Sequence, residues 1–236
     1  MNKKNKTCIS ILLILFINVS LNAQTKDPDQ ILNNVKKVFS SVKDYQVNVN
    51  IKVDVDFLKV PETNAKIYFK QPDKIHFESD RFALLPREGL DISPVGLLKE
   101  KYSAFYLKED TIDGIKTAVI KVIPLDEHSE IILTTLWIDQ AKNIIRRAES
   151  TTKLNGTFII DLKYNSKYEY PLPSEMIFSF NVDRMNVPRG ISGEIESDSN
   201  KDKKSKSTTG RVFIKYSDYK VNEGIPEKIF EEKKKK

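Results

Sequence analysis

The stretch "YQVNVNIKVDVDF", residues 45–57, alternates apolar and polar side chains without a break. Successive side chains of a β-strand point to opposite faces, so the apolar residues share one face. Those residues are Tyr45, Val47, Val49, Ile51, Val53, Val55 and Phe57. At roughly 3.3 Å per residue the segment would extend for about 40 Å, well beyond a usual strand of about five or six residues. The pattern therefore predicts a long strand that bends and presents one apolar face.

The segment before this strand predicts an amphipathic helix. Asp27 is the expected N-cap, Pro28 occupies the first helical position, and Gln30 completes a capping box. Apolar residues then recur at helical spacing, namely Ile31, Val35, Val38, Phe39 and Val42. We expect about four turns of helix whose apolar stripe packs on the sheet.

Most of the chain after residue 57 has the pattern of β-strands. The strand candidates are "NAKIYFK", "DKIHFES", "YSAFYLK", "IKTAVIKVI", "EIILTTLWID", "NIIRRAESTTK", "GTFIIDLKYN", "EMIFSFNV" and "GRVFIKYSDYKV". Turn signals separate several of them, including the Pro-led "QPD" and the hairpin signal "LNG". Helices and strands do not alternate, so we predict a mainly β (α+β) fold with one meandering antiparallel sheet. Within "LWID", Trp137 is expected in the core rather than on a ligand-binding wall.

Two segments depart from the strand pattern. Residues 81–99, "RFALLPREGLDISPVGLLK", carry large apolar side chains but are interrupted by two prolines and two glycines. Neither a long helix nor a regular strand accepts these interruptions, so the segment is either a core plug or a lid. Residues 193–210, "GEIESDSNKDKKSKSTTG", are too polar to bury and predict a flexible charged loop.

The N-terminus predicts export. Three lysines precede a short apolar run at residues 11–17, and cleavage is expected near Ala23. A membrane-spanning helix would need about 20 apolar residues, so this run is too short. Cys8, the only cysteine, lies in this leader, and we expect no disulfide or thiol chemistry in the mature chain. We predict a signal peptide at residues 1–23 and a single domain at residues 24–236.

The charge of the chain argues against nucleic-acid binding. The formal net charge is +6, but three lysines lie in the leader, which leaves +3 for the mature chain. The terminal "EEKKKK" contributes +2 of that, so the body of the domain is close to neutral. Nucleic-acid binding requires a clustered basic face, and we expect no such partner. The lysine tail, residues 233–236, is either a contact for anionic lipid headgroups or a solvated end.

Catalytic and metal-binding patterns are lacking in the sequence. His76 is expected on the polar side of its strand and His128 in an acidic turn, and neither has a partner at triad or metal-ligand spacing. The segment "DTIDG" resembles a calcium-binding loop only in composition, and we expect a hairpin turn. The eight glycines form no phosphate-binding loop. We therefore expect no enzymatic activity, no metal and no cofactor.

The order of these features resembles the LolA-like family of periplasmic carriers for outer-membrane lipoproteins. The resemblance rests on the helix that runs into a long alternating strand, and on "IYFKQPDKIHFES", "LWIDQAKNIIRRAE" followed by "LNGTFIIDLKY", and "YSDYKVNEGIPEKIF". It implies a strongly curved antiparallel sheet, forming an incomplete barrel that helices close over an apolar concavity. The arginine that those carriers have before the turn proline is Gln71 in this chain, with Lys70 beside it.

The resemblance also implies a function and partners. A LolA-like carrier binds lipoprotein acyl chains or lipid in its cavity and carries them through the periplasm. An inner-membrane ABC-type complex would release the cargo to it, and an outer-membrane acceptor would remove it. We expect the carrier to be a monomer. A second function stays open, namely a regulatory module on the same fold that senses lipid or envelope stress.

Apolar residues on the predicted inner wall form a candidate lipid-binding cavity. They are Val49, Ile51, Val53, Ile67, Phe69, Ile75, Phe77, Phe158, Ile160, Phe178 and Phe180. The candidate lid residues are Phe82, Leu84, Leu85, Leu97 and Leu98. A carrier holds acyl chains by apolar area, at about 0.8 kcal/mol per buried methylene, and a lid that competes for that area lets the chain leave. Ordinary core packing is the alternative explanation for the same residues.

Overall fold

The computed structural model describes residues 26–55, 60–79, 98, 101–167, 169–181 and 209–231. Helix α1 spans Pro28–Phe39, and a short 3₁₀ helix spans Glu227–Ile229. The strands are β1 (Asp44–Asp54), β2 (Thr63–Lys70), β3 (Lys74–Ser79), β4 (Tyr102–Ile112), β5 (Ile115–Pro124), β6 (Ile131–Asp139), β7 (Ile144–Thr152), β8 (Gly156–Lys163), β9 (Glu175–Asn181) and β10 (Thr209–Val221).

These ten strands form one antiparallel sheet in the order β3-β2-β1-β10-β9-β8-β7-β6-β5-β4. Strands that are consecutive in the chain pair with each other, except β3 and β4, which lie at opposite edges of the sheet. Strand β1 also pairs with β10, so the first strand lies beside the last. Within the described residues β3 and β4 each pair on one side only, and the curved sheet is not closed. The prediction of a mainly β fold with an antiparallel sheet that forms an incomplete barrel is confirmed. Each predicted strand segment corresponds to one of the observed strands.

Differences from the predicted elements lie at their ends. Helix α1 has 12 residues, which is about three turns rather than four. Asp27 is the N-cap, but its carboxylate accepts from the N–H of Asp29 at 3.0 Å rather than from Gln30. Strand β10 begins at Thr209, two residues before the predicted end of the charged loop. Residues 193–208 of that loop lie outside the described residues, as do the leader and the lysine tail.

The hairpin turns place glycine and aspartate where the backbone has a positive φ. Asp113 and Gly114, in the turn between β4 and β5, have φ values of 49° and 77°. This is the pattern of a tight two-residue hairpin turn, so "DTIDG" forms a hairpin as predicted. Gly156, the last residue of the "LNG" signal, has φ 73° at the start of β8. A side chain would strain the backbone at these glycines.

One face of the sheet, which we call the inner face, carries most of the apolar core. Its buried members include Val47, Val49 and Ile51 of β1, Ile67 of β2, Ile120 of β5, Leu136 of β6, Ile160 of β8, Phe178 of β9 and Ile214 of β10. Leu32 and Val35 of α1 belong to the same cluster, so the helix covers this face. One cluster joins β2 to β5, which are seven positions apart in the sheet order. The sheet therefore curls around its apolar face.

A second apolar cluster lies where α1 ends and consists of Phe39, Val42, Phe69 and Leu172. The ring of Phe69 is fully buried, with its centroid 5.8 Å from that of Phe39. It also stacks on Tyr45 at 5.1 Å. These aromatic contacts hold the end of the helix against β1 and β2.

Trp137 lies on the opposite, outer face of the sheet and belongs to neither apolar cluster of the described residues. Its indole Nε1–H donates to Asp110 Oδ2 at 3.1 Å. The Arg147 guanidinium lies over its ring, 5.8 Å from the centroid, and donates from Nε to Asp161 Oδ1 at 2.6 Å. The expectation that Trp137 joins the core is wrong, because a bonded polar row across β4, β6, β7 and β8 holds it outside.

Replacing Leu32 with alanine should lower the free energy of unfolding by about 2–5 kcal/mol, because the side chain is fully buried between α1 and the inner face. Chemical denaturation measures this loss. The matched control Asn33→Ala changes an exposed neighbour on the same helix and should shift stability by less than about 0.5 kcal/mol. Equal effects of the two substitutions would contradict the packing of α1 on this face.

Candidate functional site

The structure brings ten of the eleven predicted cavity residues onto the inner face. Six are buried members of its cluster, namely Val49, Ile51, Ile67, Phe158, Ile160 and Phe178. Four are partly buried and pack against it, namely Val53, Ile75, Phe77 and Phe180. The remaining residue, Phe69, lies in the second cluster beneath the end of α1. The residues thus form one continuous apolar surface, and ligand binding by them stays a prediction.

Leu98 is the one predicted lid residue within the described part of the chain. It is 3% exposed and belongs to the inner-face cluster. The other four, Phe82, Leu84, Leu85 and Leu97, lie outside the described residues. Leu98 therefore covers the apolar surface as a lid residue would, while the function of the whole segment stays a prediction.

Six tyrosines that the sequence analysis did not assign to the site pack around the inner face. They are Tyr45, Tyr102, Tyr106, Tyr164, Tyr216 and Tyr219. Tyr164 and Tyr216 keep some exposed area, yet burial raises the pKa of both hydroxyls. Their only sequence signal is alternation, which does not distinguish a tyrosine at a site from one in a core.

A β-bulge in β10 determines which tyrosines face inward. Between Gln46 and Asn48 of β1 the register with β10 shifts by one residue, and Asp218 at this point has φ 55°. The extra residue reverses the alternation, so Tyr216 and Tyr219 both face inward although they are three residues apart. Their rings stack with centroids 6.1 Å apart.

The linker between α1 and β1 is held from two sides. Gln71 donates from its backbone N–H to Lys43 O and from Nε2 to Val42 O, each at 2.8 Å. Asn222 Oδ1 accepts from the Lys43 N–H at 2.7 Å, and its Nδ2 donates to Ser41 O at 2.9 Å. Gln71, which stands where LolA-like carriers have arginine, therefore anchors the end of the helix that covers the inner face.

The C-terminal 3₁₀ helix contacts the turn between β2 and β3 through charged groups. Glu227 accepts from Lys70 Nζ at 2.7 Å and from Lys74 Nζ at 2.5 Å. These hydrogen bonds lower the pKa of Glu227 to about 2. Lys70 also donates to the backbone oxygen of Ile225 at 3.0 Å. The groups are largely exposed, so they position the C-terminal segment more than they stabilise the fold.

Neither histidine lies in a catalytic arrangement. The His76 ring packs 6.0 Å from that of Tyr68, and His128 is exposed in a turn capped by Asp126. No group of three or more His, Cys, Asp or Glu side chains in the described ranges is placed to hold a metal ion. None of the helices within those ranges is both long and apolar enough to span a membrane.

Three solved structures share this fold. A domain described as an outer membrane lipoprotein-sorting protein, from Vibrio parahaemolyticus, has a TM-score of 0.61 at 12% identity, covering 86% of this chain and 97% of its own. A LolA superfamily protein from Nitrosomonas europaea has a TM-score of 0.54 at 15% identity, covering 87% of this chain and 97% of its own. The chain has a LolA-like fold.

The third structure also covers most of this chain. A DUF1329 family protein from Desulfovibrio piger has a TM-score of 0.58 at 14% identity, covering 87% of this chain and 98% of its own. No family model matches the chain, and no curated protein sequence matches it. At such low identities the similarity shows a shared fold and does not by itself establish a shared function.

We expect the Glu227 carboxyl to titrate with a midpoint near 2 in NMR-monitored pH titration. Because its pKa is lowered, the contact contributes fully above the ordinary value of 4.5 and is lost as the pH falls through about 2. Joint replacement of Lys70 and Lys74 by alanine should return the midpoint toward 4.5. Lys228→Ala serves as the control and should leave it unchanged. A midpoint near 4.5 in the unmodified protein would show that these ion pairs do not form.

Proposed function

We propose that this chain is a non-enzymatic periplasmic carrier that binds acyl chains of lipoproteins or lipids on its inner face and moves them toward the outer membrane. The observation that carries this proposal is the continuous apolar surface of the predicted cavity residues on an open, curved sheet. The LolA-like fold supports it, since two of the neighbours bear names from lipoprotein sorting or the LolA superfamily.

Binding by this surface depends on area rather than on specific polar contacts. Each buried methylene contributes about 0.8 kcal/mol, so roughly ten of them contribute about 8 kcal/mol before the cost of displacing protein groups. Leu32, Val35 and Leu98 already cover part of the surface, and cargo has to compete with them. This competition reduces the net affinity and makes binding reversible.

Loading and release would follow from that competition. Phe82, Leu84, Leu85 and Leu97 would join Leu98 as a lid that cargo displaces. Energy for loading would come from an inner-membrane ABC-type complex, and an outer-membrane acceptor of greater affinity would remove the cargo. The carrier would act as a monomer, with no metal, cofactor or nucleic acid.

The proposal includes a domain organisation and a location. Residues 1–23 would direct export and be removed near Ala23. Residues 24–236 would form a single domain with a flexible charged loop and a C-terminal lysine tail. The mature protein would then work in the periplasm, between the donor and acceptor membranes.

Photo-crosslinking tests the binding surface directly. A photoreactive residue at Ile51 or Phe178 should capture acyl lipid or acylated peptide in cells, because both side chains lie on the inner face. The matched control is Lys52, which neighbours Ile51 on β1 but is exposed on the opposite side of the strand. Equal capture at Lys52, or no capture at Ile51 and Phe178, would contradict the proposal. Captured lipid that is never passed to outer-membrane vesicles would indicate the sensing module instead.

A further inference from the structure

Tyr216 lies on the inner face of the sheet, next to a predicted cavity residue. It lies on β10 directly opposite Val49 of β1, and its ring packs against the inner-face cluster. On the other side of β10, Met176 of β9 lies beside it, opposite Ile214. Its neighbours therefore include Val49, one of the residues that the proposed function assigns to acyl-chain contact.

The Tyr216 hydroxyl has a poor hydrogen-bond partner. Its Oη donates to the thioether Sδ of Met176 at 3.9 Å, which is a long contact to a weak acceptor. Neighbouring tyrosines are better satisfied. Tyr219 donates to Pro173 O at 2.8 Å, and Tyr164 donates to Ile145 O at 2.9 Å. Among the described residues, Tyr216 thus donates to a sulfur atom in an apolar site, where the other two tyrosines donate to oxygen.

An under-bonded hydroxyl in an apolar site is costly unless an acceptor arrives. Tyr216 remains partly exposed, so an incoming group can reach its side chain. Burial raises the pKa of the hydroxyl, which stays protonated and able to donate. The titratable groups that act electrostatically on the Tyr216 hydroxyl are the hydroxyls of Tyr45 and Tyr164, which are neutral near pH 7. A neutral acceptor suits this position, because a carboxylate would be buried without a counter-charge.

We infer that Tyr216 donates a hydrogen bond to the neutral carbonyl oxygen of an acyl ester or acyl amide and so fixes the head of the acyl chain on the inner face. This inference rests on the proposed function and narrows its ligand class. The site prefers an acyl chain attached through a carbonyl over a bare hydrocarbon of the same length. Apolar area supplies the affinity, and the Tyr216 hydroxyl supplies the orientation.

The experiment compares Tyr216→Phe with the unmodified protein, each purified from the periplasm. The probes are a pyrene-labelled acyl methyl ester, the matching acyl amide of a short peptide, and a pyrene-labelled alkane of the same length. The substitution should weaken ester or amide binding roughly three- to tenfold, the effect of one lost hydrogen bond, and leave alkane binding unchanged. A larger loss for the amide or for the ester identifies the carbonyl linkage that the Tyr216 hydroxyl prefers.

Tyr68→Phe is the matched control, because it removes a hydroxyl bonded to Glu78 on the other face of the sheet. It should leave the binding of all three probes unchanged. Thermal unfolding gives a second readout: Tyr216→Phe should keep or raise the melting temperature, since the lost hydroxyl has a poor partner.

Three outcomes would overturn the inference. If Tyr216→Phe weakens all three probes equally, the residue only shapes the surface. If it changes none of them while the unmodified protein binds them, this inference fails and the carrier proposal stands. If the unmodified protein binds no probe, both fail together.

Discussion

The pairing of β1 with β10 is the constraint on which the rest of the molecule depends. It joins the first strand of the chain to the last, with Tyr45 opposite Val221 and Asp54 opposite Arg211. This distant pairing links the β1–β3 ribbon to the long meander from β10 back to β4. Without it the apolar faces of the two parts would not meet, and α1 would have no single surface to cover. The bulge in the same pairing orients the inward tyrosines.

Local periodicity was enough to predict the strands, because their side chains alternate between an apolar and a polar environment. Of the eleven residues that it predicted for the cavity, ten lie together on one face. Local periodicity could not predict that β1 pairs with β10, since pairing between distant parts of the chain leaves no local signal. Trp137 was misassigned because its partners, Asp110 and Arg147, come from other strands. Tyr216 was not predicted as a site residue because its distinguishing feature is a weak hydrogen-bond partner, Met176. That partner is set by the three-dimensional structure and leaves no signal in the local sequence.

The inner face differs from an ordinary core in two properties. Its apolar area is continuous across the sheet, yet several of its side chains remain partly exposed, including Val53, Phe77 and Phe180. A helix with a firmly anchored C-terminal end covers it, and Leu98 packs onto it from the segment before β4. In the proposed carrier, such a surface would exchange protein contacts for acyl chains with little change in the total area buried. This balance favours reversible carriage over permanent storage.

The most direct test of the central claim is native mass spectrometry with lipid extraction on protein purified gently from the periplasm. The account predicts a co-purifying acyl lipid or acylated peptide, with a mass that identifies the head group. A protein that stays empty even when offered acylated lipoprotein would contradict it. The apolar face of "YQVNVNIKVDVDF" would then be core alone, and the LolA-like fold would be present without that function.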